Sequence, residues 1–189
     1  MKYFAKEAIR ADNDSSLTPS QQKANHRKFN RNCKAYNKQL LKLESRISKQ
    51  AFNFFYLGFT RWGLHDARLV SFSAGDGLDY RANGKQPFRI NRQKAGVRIE
   101  ILNYEQNLFY TFHFTGIRKT VFDFPSDDPL CNSDRVDGLF TYELTAAGKR
   151  FLRLEFLFTS GAIILIEFAK LQFARKRVRR RYAIGEMYS

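Results

Sequence analysis

"RWGLHDARLVSFSAG", residues 61–75, is the point at which a helical pattern gives way to strand-like alternation. Upstream of it, Phe29, Cys33, Tyr36, Leu40, Leu43 and Ile47 follow one another at spacings of 4, 3, 4, 3 and 4, and Phe54 continues the series. Such spacing lays one apolar stripe along a helix. Lys28, Arg31, Lys34, Lys38, Lys42, Arg46 and Lys49 fall on its flanks and far side, so the helix has a core face and a basic face. Thr18, Pro19 and Gln21 form a capping-box pattern that predicts a start at about residue 19. Unbroken to Leu57, the helix would be about 58 Å long, too long to lie wholly on a domain of this size, so a break near 48–53 is expected.

Downstream of the corner, "ARLVSFSAG", "AGVRIEILNY", "LFYTFHFTGI", "KTVFDF", "GLFTYELTA", "RFLRLEFLFT" and "AIILIEFAKLQF" are runs rich in Val, Ile, Phe and Tyr, separated by Gly, Asn and Asp turns. Val97, Ile99 and Ile101 alternate with Arg98 and Glu100, and Leu152, Leu154, Phe156 and Phe158 with Arg153 and Glu155. One face is therefore expected buried and one wet, with Arg98, Glu100, Glu143, Arg153, Glu155 and Glu167 forming cross-strand pairs in solvent. "NYEQN" (103–107) and "FTSGA" (158–162) read as hairpin loops. The fold class is α+β: a long N-terminal amphipathic helix, broken along its length, packed on an antiparallel meander sheet of six to seven strands, with a basic C-terminal tail.

The chain of 189 residues suits one domain, mainly helical over 1–60, β-sheet over 67–173 and basic tail over 174–189, whose order the sequence leaves open. Its 19 Phe and 9 Tyr against 4 Pro and 2 Met give a core of aromatic side chains, which excludes disorder throughout. Cys33 and Cys131 form no metal or redox spacing, and Cys33 sits on the core stripe. A reducing cytoplasm suits them. No signal-peptide stretch and no run of about 20 apolar residues is present, so neither secretion nor a transmembrane segment is expected.

Charge is unevenly placed. Residues 1–60 hold 12 Lys or Arg and 4 Asp or Glu, residues 61–169 hold 14 and 13, and residues 170–189 hold 7 and 1, within a total of +15. A neutral middle is flanked by two basic segments, whose field draws acidic partners. In the tail, Arg175, Lys176, Arg177, Arg179, Arg180 and Arg181 suit planar recognition of phosphate or carboxylate, with Tyr182 able to stack on a base. A solvated terminus is the plain alternative. An anionic lipid surface is weaker, because no amphipathic anchor accompanies the run.

Candidate chemistry is sparse. His65-Asp66 matches the dipeptide of metal-dependent phosphohydrolases, but those enzymes are helical and draw further His and Asp ligands from other helices, whereas this pair opens a β-run. The reading preferred is a structural corner in which Trp62 anchors the helical half, His65 packs or hydrogen-bonds, and Asp66 accepts backbone N–H bonds. His113 shares a strand face with Phe109, Thr111 and Thr115 and reads as solvent-facing or hydrogen-bonded. Asp127, Asp128, Asp134 and Asp137 lack the spacing of a calcium loop. No metal, cofactor or catalytic set is expected.

Two short motifs carry a resemblance. The start "MKYFAKE" (Met1 to Glu7) and the corner "LHDA" (Leu64 to Ala67) resemble a family of small bacterial proteins known only as domains of unknown function, with a helical segment ending in that corner before a β-rich half. Related layouts include immunity proteins of bacterial toxin systems, so the resemblance implies binding rather than catalysis and supplies no catalytic residues. The basic helix and tail are not part of that pattern. The expected function is a non-enzymatic protein engaging an acidic protein partner, as an immunity or antitoxin-like inhibitor would. The alternative is an RNA- or DNA-binding protein. In either case Lys34, Lys38, Lys42, Arg46 and the tail cations make the contact.

Overall fold

A computed structural model describes residues 1–4, 16–58, 63–80, 88–123 and 138–178, with side chains described except for 58, 78–80 and 88–94. The fold is α+β, with two α-helices and two antiparallel four-stranded sheets among the described residues. Helix α1 spans Pro19–Leu41 and opens as its capping box requires: the Gln21 amide donates to Thr18 Oγ1 (3.4 Å) and the Thr18 amide to Gln21 Oε1 (3.0 Å). It ends earlier than the apolar stripe suggests. A 3-10 turn at Glu44–Arg46 and an extended Ile47 intervene before α2 (Lys49–Gly58). The break lies at 42–48 because Ser48 restarts the helix, its hydroxyl accepting the Ala51 amide at 3.2 Å. The bend lets Leu43 and Phe55, on different segments, both enter the core.

The strands are β1 (Arg68–Tyr80), β2 (Phe88–Leu102), β3 (Leu108–Thr115), β4 (Lys119–Asp123), β5 (Leu139–Ala146), β6 (Leu152–Phe158), β7 (Ile163–Phe168) and β8 (Lys170–Arg177). They are ordered β1-β2-β3-β8 in one sheet and β4-β7-β6-β5 in the other. One sheet of six to seven strands is therefore replaced by two of four, and the reason is local. The β3–β4 and β8–β7 segments form one long antiparallel ribbon, but Thr115 pairs with Lys170 while Lys119 pairs with Glu167, a one-residue slip. At the slip the Ala169 amide reaches the carbonyls of both Thr115 and Gly116 (3.1 Å each). Inward positions change phase there, from Ile164, Ile166 and Phe168 to Leu171 and Phe173. The ribbon bends and passes from one sheet to the other.

Gly116 is required at this bend. Its φ is +64°, and a Cβ would stand 2.8 Å from the Ala169 methyl. Bending turns the inner faces toward each other, so Phe114 meets Phe168 (ring centroids 4.8 Å) and Phe112 meets Phe156 (5.6 Å). Helix α2 fills the remaining space: Phe54 contacts Tyr110, Phe112 and Phe173 of one sheet and Tyr142 of the other, at 4.7–5.6 Å. Each such ring pair adds about 0.5–1.5 kcal/mol to the burial of its area.

Helix α1 covers the free edge of β5. The Leu144 amide, which as an edge group would need water, donates to the buried Tyr36 hydroxyl at 2.9 Å. Burial pushes the Tyr36 pKa well above its ordinary value, so the group remains a neutral hydroxyl. Replacing Gly116 by Ala is expected to cost about 2 kcal/mol, lowering Tm by roughly 4–8 °C in a thermal melt of a chain of this size. An unchanged Tm would show that the bend does not need glycine.

Candidate functional site

Five of the six Lys and Arg of α1, together with Lys42 at its C-cap, gather on the sector opposite its core face, with Lys28 to one side. At 100° per residue, Lys23, Arg27, Arg31, Lys34, Lys38 and Lys42 fall within an arc of about 100°, while Phe29, Cys33, Tyr36 and Leu40 lie on the other side. All six are exposed, and α1 contains no Asp or Glu. Ala24, Arg27, Asn30, Arg31 and Lys34 line an open groove along this surface. Lys34, Lys38 and Lys42 are thus brought together as expected. Lys23 and Arg27 extend the stripe toward the cap, which the 3.6-residue period carried back to Thr18 would have revealed.

Other expected residues separate from this group. Arg46 is half-buried and donates to the carbonyls of Phe151 (3.0 Å) and Gly148 (3.4 Å), tying the 3-10 turn to the β5–β6 hairpin. Its planar fork is used inside the fold. Arg175, Lys176 and Arg177, placed in the tail by sequence, continue β8 and pair with Tyr110, Phe109 and Leu108. Burial raises the pKa of the Tyr110 hydroxyl, and the positive charge of Arg175 opposes that rise. Arg179, Arg180, Arg181 and Trp62 lie outside the described residues.

The His65-Asp66 corner joins the two sheets. Asp66 has a φ of +58°, its amide donates to the Leu139 carbonyl (2.8 Å), and the Leu139 amide donates to the Ala67 carbonyl (2.7 Å). The turn is tied through this backbone rather than, as expected, through the Asp66 carboxylate, which instead pairs with His65 Nδ1 at 2.9 Å in an exposed position. His113 lies in mid-sheet with Nε2 2.9 Å from the Ala95 carbonyl and Nδ1 3.2 Å from Gln172 Oε1. Its strand position is level with Ser73, about 17 Å up β1 from Arg68, whereas His65 lies before the strand begins. The two histidines do not share a site.

The second sheet departs from expectation in its charges, since Glu143, Glu155 and Glu167 are buried rather than wet. Glu143 and Glu155 oppose each other directly across β5 and β6, an arrangement that is repulsive on its own. The N-terminal residues resolve it. The amides of Lys2, Tyr3 and Phe4 all donate to the Glu143 carboxylate (2.8–3.2 Å), and the Met1 amine meets Glu155 at 2.7 Å. Met1, Lys2, Tyr3, Glu143 and Glu155, with Gln39, Thr145 and Arg153, line a cleft of about 220 Å³. Strand alternation could not have shown the covering segment, because that segment lies about 140 residues away in the chain.

Glu167 pairs with Arg153 across the strands and with Arg118 (2.6 Å each). Hydrogen bonding from Arg153, and then from Arg118, holds its carboxyl below the ordinary range against the opposing effect of burial. Glu100 is likewise lowered, first by the Ser71 hydroxyl and then by Arg98. A depressed carboxyl pKa contributes stability above its unfolded value and loses it as pH falls through the folded value. Urea midpoints should therefore fall between pH 5 and pH 3 by an amount that shrinks in Glu167→Gln, which is also less stable at pH 7. An identical pH slope in the variant would contradict this role.

Comparison with protein-family models, curated sequences and solved structures finds no match. Among the described residues, no helix is long and apolar enough to cross a membrane. Among the described residues, no group of three or more potential ligand residues is placed to hold a metal ion.

Proposed function

We propose that this is a non-enzymatic nucleic-acid-binding protein that grips phosphate through the outward sector of α1. One observation carries the reading. The neighbours Lys23/Arg27, Arg27/Arg31, Arg31/Lys34, Lys34/Lys38 and Lys38/Lys42 are all like-charged at i,i+3 or i,i+4. Each destabilises a helix by about 0.2–0.5 kcal/mol, on the order of 1–2 kcal/mol together. A solvated structural helix would intersperse Glu and gain from the same positions. A polyanion reverses the sign of the cost.

An acidic protein would meet the same charge, as the immunity-like layout implies. Stable protein interfaces, however, centre on aromatic or aliphatic anchors. Between its cations the outward sector carries Ser20, Ala24, Asn30, Ala35 and Asn37, with Leu41 exposed only at its end. Lys, Arg, Asn and Ser are donors to phosphate oxygens. The His65-Asp66 pair and His113 are held in structural contacts, which favours binding over catalysis.

Fluorescence anisotropy with labelled nucleic acid at 50 and 200 mM salt tests the reading. With about six phosphates neutralised, affinity should fall roughly a thousand-fold between the two, and Lys34→Gln with Lys38→Gln should reduce the log–log salt slope by about 2. Absence of salt-dependent binding, or an unchanged slope in the double variant, would contradict it.

A further inference from the structure

Resting on that reading, we infer that the first four turns of α1 are the element that enters the major groove of B-form duplex DNA. No residue of α1 before Tyr36 is buried; Gln22, Asn25, Phe29, Asn32 and Cys33 are half-buried on the core side, with Phe29 against Phe4 and the Asn32 amide donating to the Tyr3 carbonyl (3.1 Å), and the other side chains of these turns are exposed. Over this part, Pro19 to Ala35, the outer sector stays exposed for about 25 Å. With side chains, a helix is about 10–12 Å across, against a major groove about 12 Å wide.

The exposed surface is shaped for a groove. Arg27 and Arg31 lie on the outermost ridge beside Ser20 and Ala24, whose small side chains permit close approach. Arginine makes paired hydrogen bonds to the guanine edge, and Asn30 on the same groove surface has the amide suited to adenine. Lys23 and Lys34 lie on one flank of the ridge and Lys28 on the other, one set for each phosphate wall. The capping box fixes the helix start before any ligand arrives, so little order must be gained on binding.

Other nucleic acids fit less well. Single-strand binding relies on aromatic platforms for base stacking, and the outward sector carries none. Duplex RNA has a deep, narrow major groove that side chains do not read.

The full chain should be titrated against one sequence of about 20 nucleotides as duplex DNA, duplex RNA and single-stranded DNA, then challenged with methyl green in the major groove or netropsin in the minor groove. Duplex DNA should bind at least about ten-fold tighter than the other two. Methyl green should displace the protein and netropsin should not. Arg27→Gln with Arg31→Gln, its helicity checked by circular dichroism, should weaken duplex binding by at least about ten-fold. Equal affinity for the three ligands, or displacement by netropsin but not methyl green, overturns the groove inference while leaving phosphate binding intact. Lack of salt-dependent binding to any of them, including the case in which only an acidic protein binds, overturns the nucleic-acid reading and this inference with it.

Discussion

The one-residue slip between Thr115–Lys170 and Lys119–Glu167 governs the architecture. A flat ribbon would hold all its strands in one sheet and leave Phe112, Phe114, Phe156 and Phe168 on a single exposed face. The bend at Gly116 and Ala169 folds that face on itself, and Phe54 from α2 then has rings of both sheets within reach. On the opposite side the Ala67–Leu139 bridge holds β1 to β5. Closure at both places leaves the β5 edge as the seat for α1, through Tyr36 and Leu144.

Seating α1 by its C-terminal half has a consequence for charge. Tyr36 and Leu40 anchor the last turns, and the earlier turns hold no buried side chain. The fold therefore presents a basic stripe along the outer face of α1. The buried carboxylates are committed elsewhere: Glu143 to three backbone amides, Glu155 to the Met1 amine, and Glu167 to two arginines. Acidic groups thus serve folding inside the second sheet, while the cations of α1 remain at the surface.

How much of this could be read from the sequence follows from the range of each interaction. The start of α1 was legible because Thr18 and Gln21 act within one turn. The break was displaced because the stripe through Leu43, Ile47 and Phe54 keeps its period while Ser48 caps a new helix beneath it. Strand positions were legible from alternation, and the slip left a trace, the phase change between Phe168 and Leu171, inside a run that reads as one strand. Of the expected site, Lys34, Lys38 and Lys42 share a surface, since helical spacing alone puts them there. Arg46 and Arg175 to Arg177 are engaged by partners distant in sequence, the Gly148–Phe151 turn and β3, which local patterns do not encode.

Hydrogen exchange tests the central claim, that α1 is anchored by its last turns and works through its first ones, most directly. In the free protein, amides of Ser20–Ala35 should exchange faster than those of Tyr36–Leu41 and of the sheet core, because few buried contacts oppose their opening. On addition of duplex DNA, new protection should concentrate in α1, strongest over residues 19–35. Protection that appeared along β8 or the β1–β5 corner, with α1 unchanged, would contradict the account.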